Sequence, residues 1–377
     1  MTSGQPRIHA LLALAGLAAA VGACRPPAPA AIIGLGYRGY QRVTAVAIAT
    51  DSAAGNPSIS IISETDTSGE TGPAGEVNVA SRLARTPGMA GVVGHGGSRE
   101  ALMTAPIYNE AHIPQIVPTG TSRRLAAAGP WTFTMAPNDS VEGEYLVRFV
   151  AERLRARSVM IFYVLDEYGA GLRDGATAAL ARRGIRAIDA IPVPTVADCV
   201  RASDGNLLAS AVDAALLTGR PDVVILAARQ RESGCIAERV NRKFPGMRFV
   251  AGDGLLADGE FKARAGAAGD STWVVAFWHQ DRADSVSRAF VARFRARYHE
   301  IPTHNDAMIY DGLLALTAAV HAVGPDGEKV RRYLASLGHE RPALAGVTGP
   351  IAFPGGADRL LMTRVSGPGL RDLVQFP

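Results

Sequence analysis

Val141 to Val164 reads VEGEYLVRFVAERLRARSVMIFYV, and two different periods follow one another in it. As far as Arg155 the apolar residues recur at helical spacing, which predicts an amphipathic helix; Ser158 to Val164 is then a short, nearly unbroken apolar run, which predicts a strand. The same alternation extends outward in both directions. Strand-like runs occur at Ser58 to Ser63, Ala90 to Gly94, Gln115 to Pro118, Arg186 to Val193, Asp222 to Ala227, Arg248 to Ala251 and Thr272 to Phe277, and Ser285 to Tyr298 repeats the helical period. Strands alternating with helices predict an α/β fold with parallel sheets and right-handed crossovers. At least eight strands in 377 residues are accommodated more economically by two doubly wound lobes than by one sheet. No low-complexity linker separates the halves, so several short crossings are expected to join the lobes.

Composition removes several classes of function. The formal net charge is only +4, and the basic residues are nearly all Arg, with Lys at Lys243, Lys262 and Lys329 alone. No basic tract or aromatic-basic alternation is present, so no nucleic-acid partner is expected. None of the three lysines follows a glycine, which excludes a P-loop. The cysteines form no Cys-x-x-Cys, the histidines no His-Glu-x-x-His, and no serine sits in Gly-x-Ser-x-Gly. No metal, no cofactor and no catalytic residue is expected.

The N-terminus reads as an address. Arg7 and His9 precede an apolar run from Ala10 to Val21, shorter than a bilayer span and ending in small residues, as in a signal peptide. Val21-Gly22-Ala23-Cys24 is similar to a lipobox, which would make Cys24 the lipidated first residue of an exported protein. The Pro- and Ala-rich stretch from Arg25 to Ala31 would be its tether. An ordinary signal peptide with a coincidental Cys is the alternative. In an oxidising compartment Cys199 and Cys235 are the remaining pair, and a disulfide between them is expected; two buried thiols packing as small hydrophobes is the other reading. No later stretch looks long and apolar enough to cross a membrane.

One motif points elsewhere. Ala31-Ile32-Ile33 followed by Gly34-x-Gly36-x-x-Gly39 has the form of a dinucleotide fingerprint, and Glu64 stands where a ribose-binding acid would be. The spacing to Glu64 is long, and nicotinamide cofactors are scarce outside the membrane. A turn after the first strand that lets backbone approach a ligand is the competing meaning.

From about Asp66 to Gly367 the chain resembles the type I periplasmic solute-binding proteins, specifically the leucine/isoleucine/valine-binding family of ABC-transporter receptors. Ala90-Gly-Val-Val-Gly-His-Gly-Gly-Ser98 is similar to that family's strand-then-serine loop, and His112-Ile-Pro-Gln-Ile-Val-Pro-Thr-Gly-Thr121 to its second ligand loop. Phe133 to Asp139 with Glu142-Gly143 looks like its first interlobe crossing. Asp166-Glu-Tyr-Gly-Ala-Gly-Leu172, Tyr310-Asp311 and Val347 to Phe353 match later blocks in the same order. The resemblance implies two Rossmann-like lobes, three crossings and a cleft between them. The division read from the chain is a signal peptide over 1–23, a tether over 24–31, lobe 1 over 32–138 plus 273–345, and lobe 2 over 139–272 plus 346–377.

Residues beyond strand ends are where α/β sheets bind ligands. Ser98, read as the cap of a helix over Arg99 to Ala111, with Thr119 and Thr121 would hold an α-carboxylate, as the resemblance implies. Asp253 would meet an α-ammonium, with Asp139 supporting it and Tyr168 closing over the ligand. Ser98 as a plain cap, Asp253 as a turn residue, Asp139 as a cap for Val141 onward and Tyr168 as turn packing remain open. Two departures from the family bear on specificity. The first ligand loop is shortened to Gly36-Tyr37-Arg38-Gly39, and Arg229 stands where an aromatic is common, free to pair with Asp253 or to receive a second anionic group. Trp278 and His279 would line the rim or join the core.

The expected function is that of an exported, lipid-anchored receptor, on the outer face of the cytoplasmic membrane or in the periplasm, delivering an amino acid, small acid or amide to an ABC permease. A ligand sensor on the same fold and an exported nucleotide-dependent oxidoreductase are the alternatives.

Overall fold

The computed structural model describes residues 31–36, 59–63, 73–195, 203–256, 260–366 and 370–376. They build two sheets. The first consists of β1 (Ala31–Leu35), β2 (Ile59–Ser63), β3 (Met89–Val93), β4 (Gln115–Val117) and β5 (Thr132–Thr134), all parallel, in the order β2-β1-β3-β4-β5. Helices α1 (Pro73–Ala84) and α2 (Ser98–Glu110) connect its strands.

The chain then passes through α3 (Asp139–Glu152) to the second sheet. There β6 (Ser158–Val164), α4 (Glu167–Arg182), β7 (Arg186–Val193), α5 (Ser203–Ala215), β8 (Val223–Ala227), α6 (Gln230–Lys243), β9 (Phe249–Ala251), α7 (Glu260–Ala265) and β10 (Thr272–Ala276) follow one another. It returns to the first lobe as α8 (Ser285–Tyr298), α9 (His304–Val323) and α10 (Gly327–Ser336). A small hairpin, β11 (Leu344–Ala345) and β12 (Pro350–Ile351), precedes β13 (Leu361–Ser366) and β14 (Leu370–Val374), which extend the second sheet antiparallel. Its order is β14-β13-β10-β9-β8-β6-β7.

Every residue of β3, β6 and β8 is buried, the signature of parallel strands covered on both faces. β7, at the sheet edge, alternates in exposure and tolerates Pro192. The sequence-based boundary returns the chain to lobe 1 at residue 273. Instead β10 pairs with β9 on one side and β13 on the other, so the chain leaves the second sheet only after Ala276.

α9 also corrects an expectation. It is long and apolar enough to cross a membrane, but most of it is buried, and it packs on β1 and β3 as a core helix of lobe 1.

Both sheets reverse their winding at the first strand. β2 lies on one side of β1 and β3 on the other; β7 lies on one side of β6 and β8 on the other. Loops leaving the carboxyl ends of β1 and β3, and of β6 and β8, therefore diverge and open a crevice at each switch point. Two glycines then set how closely α3 and α4 approach. A Cβ at Gly143 of α3 would lie 2.6 Å from the Ala176 backbone nitrogen of α4, and one at Gly175 of α4 would lie 2.4 Å from the Asp139 carbonyl oxygen. Only glycine lets the two helices approach this closely, and the approach brings the first turn of α3 against the middle of α4.

Candidate functional site

A cleft of about 450 Å³ lies where loops from the two sheets face each other. Of the residues singled out from sequence, Ser98, Thr119, Tyr168, Arg229 and Asp253 line it.

On the lobe 1 side, β3 runs through Gly94 to Gly97 into α2. Gly97, and not Ser98, is the N-cap residue, and no side chain caps the helix, so the first-turn amides keep no side-chain acceptor. Ser98 is buried, and its Oγ accepts from the backbone N–H of Thr121 and of Ser122, each at 3.2 Å. With both lone pairs engaged, its hydroxyl proton is left to donate into the cleft. Thr119 Oγ1 donates to the Gly96 carbonyl at 2.6 Å and fixes the same loop. Thr121 is buried but stands behind the wall. Its hydroxyl has no regular hydrogen-bond partner and lies near the Asp139 carboxyl rather than in the cleft lining.

The lobe 2 side is ionic. Asp166 caps α4 by accepting from Gly169 N–H at 2.9 Å, and its Oδ2 pairs with Arg229 Nη1. Arg229 therefore pairs with Asp166, neither with Asp253 nor left free for a ligand anion, and its guanidinium sits 5.7 Å from the centre of the Tyr168 ring. The Tyr168 hydroxyl accepts from Gly254 N–H at 2.9 Å, which holds the turn after β9 in place. Added Cβ atoms at Gly252 and Gly254 would meet that tyrosine within 2.6 to 2.8 Å, so the turn approaches the ring on glycines.

Behind Asp253 stands a cluster that the sequence reading saw only in part. Glu142 Oε1 accepts from the Asp253 backbone N–H at 2.8 Å. Asp139 Oδ1 and Oδ2, Glu142 Oε2 and Asp253 Oδ1 are shielded from water without a hydrogen-bond partner. The cap of α3 is Asn138, which accepts from Ser140 and Val141, so Asp139 is not the cap and turns inward. Burial pushes Asp139 up to about 7, with the Thr121 hydroxyl opposing and the charges of Asp253 and Glu167 adding. Burial raises Asp253 to about 7 as well, against the lowering effect of Tyr168 and Arg229. Glu142 is pushed well up by burial and by the facing Asp253 and Asp139. Among the described residues none of the three makes an ion pair. Burial therefore opposes ionisation of the cluster, and an entering cation would favour its charged form.

Sequence reasoning missed Glu76, Asp166 and Asn305 in the lining, and gave Glu142 no role at the ligand. Glu142 was accessible, lying three residues after Asp139 on the same helical face. Glu76 was not, since its place depends on His95, nineteen residues on.

The rim residues expected at β10 belong to the interior. Trp278 is buried with Nε1 donating to Ser287 Oγ at 2.8 Å, and His279 is buried too. Cys24, Cys199, Tyr37, Arg38, Gly39 and Glu64 lie outside the described residues. Cys235 is disulfide-bonded to a partner that also lies outside them.

The lobes also touch directly. Ser122 Oγ donates to Glu167 Oε1 at 2.7 Å, and Arg124 Nη1 pairs with Glu167 Oε2 at 2.8 Å.

The chain is 26% identical over 267 residues to an amino acid binding protein of Pseudomonas aeruginosa, covering 70% of this chain and 68% of that protein. Its fold is similar to that of the branched-chain amino acid transporter substrate-binding protein LivJ from Streptococcus pneumoniae in complex with isoleucine: TM-score 0.75, 20% identity, 92% of this chain and 99% of that one. A solute-binding protein of an ABC transporter from Rhodopseudomonas palustris in complex with 3,4-dihydroxybenzoic acid is similar at TM-score 0.71 and 16% identity, covering 91% and 95%. At these identities the structural likenesses establish the fold.

Residues 43–364 match the family described as periplasmic binding protein. Solute-binding proteins of this kind are not enzymes, which overturns the oxidoreductase reading of Gly34 to Gly39. Gly36 has a packing reason instead, since a Cβ there would fall 2.7 Å from His95 Nε2. With two doubly wound lobes, a cleft at their switch points and a match over most of its length, the chain belongs to the periplasmic binding protein family and has the type I fold.

Proposed function

We propose that the protein is an exported receptor, lipid-anchored at Cys24, that captures a small amino-acid-like ligand and presents it to an ABC permease. The observation that carries this reading is the opposition of unlike walls. An uncapped helix N-terminus and the Ser98 hydroxyl offer donors to a carboxylate, while Asp253, backed by Glu142 and Asp139, offers a site to an ammonium. A ligand bridging the two favours the closed arrangement by its contacts to both lobes. The amino acid binding protein of Pseudomonas aeruginosa supports the ligand class. The lipobox-like Val21 to Cys24 and the tether after it support the anchor, and Cys199 is the proposed partner of Cys235.

Thermal-shift measurements against amino acids, small acids and amides test the ligand class: a ligand at 100 times its dissociation constant adds roughly 2.7 kcal/mol of stability. If only compounds without an amino group stabilise the protein, the amino-acid-like pose is wrong. Cys24→Ala tests the anchor separately, and a wild-type protein that fractionates as soluble with no lipid on its N-terminus overturns it.

A further inference from the structure

We propose that the ligand carries a second cationic group, an ammonium, amidinium or guanidinium, which Glu76 receives at the lobe 1 end of the cleft. This rests on the amino-acid-like reading above and names its side chain.

The first argument is the lining itself. Among the described residues around the cleft none is Leu, Ile, Val, Met or Phe, and Tyr168 is the sole aromatic. Among these residues a branched aliphatic side chain would find no apolar wall, and it would cover carboxylates that need water.

The second argument is an account of charge. The two arginines of the lining are already engaged, Arg99 with Glu100 (3.2 Å) and Arg229 with Asp166. Asp253 is taken by the α-ammonium. Glu76 remains, its side chain in contact with the cleft and paired through Oε2 with His95 Nδ1.

Whether that pairing cancels its charge is decided by Tyr108. The Tyr108 hydroxyl is fully buried, and its hydrogen-bond partner is His95 Nε2 at 2.9 Å. A buried phenol must place its proton on an acceptor, and Nε2 accepts only when it carries none. The imidazole is then neutral, with its single proton on Nδ1 directed at Glu76. Glu76 thus receives a hydrogen bond but no counter-charge. His95, with no exposed surface, fixes the carboxylate from behind, while Oε1 accepts from no described residue. A positioned carboxylate with no cation beside it among the described residues, on the opposite lobe of a polar cleft from Asp253, discriminates by charge.

The test compares isosteres by calorimetric titration of the purified protein: L-arginine with L-citrulline, and L-lysine with L-norleucine. The expected result is that at least one cationic member binds about tenfold or more tightly than its neutral counterpart, and that Glu76→Gln brings that ratio close to one. If citrulline, norleucine or leucine binds as tightly as the cationic amino acids, the inference is overturned and the amino-acid-like reading stands. If no α-amino acid binds, both fall. If the preference exists but survives Glu76→Gln, the assignment to Glu76 is wrong. Should Glu76→Gln fail to fold by circular dichroism, Glu76→Asp keeps the charge but retracts it by one methylene, and the same ratio must drop.

Discussion

In the proposed reading the two walls of the cleft each hold one end of a small charged ligand, and they do so with opposite materials. Lobe 1 offers a hydroxyl and backbone amides at the start of α2, neutral donors whose geometry is set by hydrogen bonds from Thr121 and Ser122. Lobe 2 offers carboxyls that burial has driven far from their ordinary range, with Asp253 in front of Glu142 and Asp139. Neutral donors cost little to leave waiting. Buried carboxylates cost a great deal, and that cost makes the second wall responsive to ligand charge and to pH.

The largest expected effect breaks the comparison at its charged side. Asp253→Asn keeps the shape but removes the charge, and should weaken binding by about 3 kcal/mol, roughly a hundredfold, in a calorimetric titration. Unchanged affinity would show that Asp253 on lobe 2 does not receive the α-ammonium.

Next comes pH. Asp139 and Asp253 titrate near 7 in the folded chain and near 4 when unfolded, so folding holds protons that the unfolded chain releases. Without ligand, stability should be full below about pH 4, fall as pH rises through about 7, and level off above. Asp253 contributes less because the residue as a whole is only half-buried at the cleft wall, and a total fall of about 2 kcal/mol is expected between pH 5 and pH 8. Chemical denaturation at the two pH values measures it, and Asp139→Asn should flatten the slope. An ammonium-bearing ligand should bind more tightly at pH 8 than at pH 5 and release protons, seen as a dependence of binding heat on buffer ionisation enthalpy.

Ser98→Ala probes the neutral wall. It removes the donor to the ligand and the acceptor for two amides, and should cost about 1 kcal/mol, roughly fivefold in affinity, with little pH dependence. A loss as steep with pH as that of Asp253→Asn would erase the distinction between the walls. The smallest effect belongs to the contact between lobes. Arg124 is 73% exposed in its pair with Glu167, so Glu167→Gln should change affinity by about 0.5 kcal/mol, seen mainly as faster ligand release at low salt.

Much of the fold was legible in the chain. Ser158 to Val164 and Ser285 to Tyr298 occupy the ranges read from their periods, because a buried parallel strand and an amphipathic helix leave local signatures. The β13 and β14 pair was not anticipated: it is an antiparallel addition whose burial comes from β10 and from Phe376 packing on Tyr145 and Phe149.

At the site, strand-end loops put Ser98, Thr119, Tyr168, Arg229 and Asp253 within reach of sequence reasoning. Their partners were not. Ser98 was read as a cap and is an acceptor for another loop; Arg229 had two partners proposed and took a third, Asp166. A residue's position beyond a strand is a matter of local periodicity and chain order, and these the sequence determines. Which charge it meets depends on residues tens to more than a hundred positions away, as Asp253 meets Glu142 across 111 residues. Only the tertiary structure decided that three carboxyls would share one dry corner, because removal from water is a property of packing and not of any residue by itself.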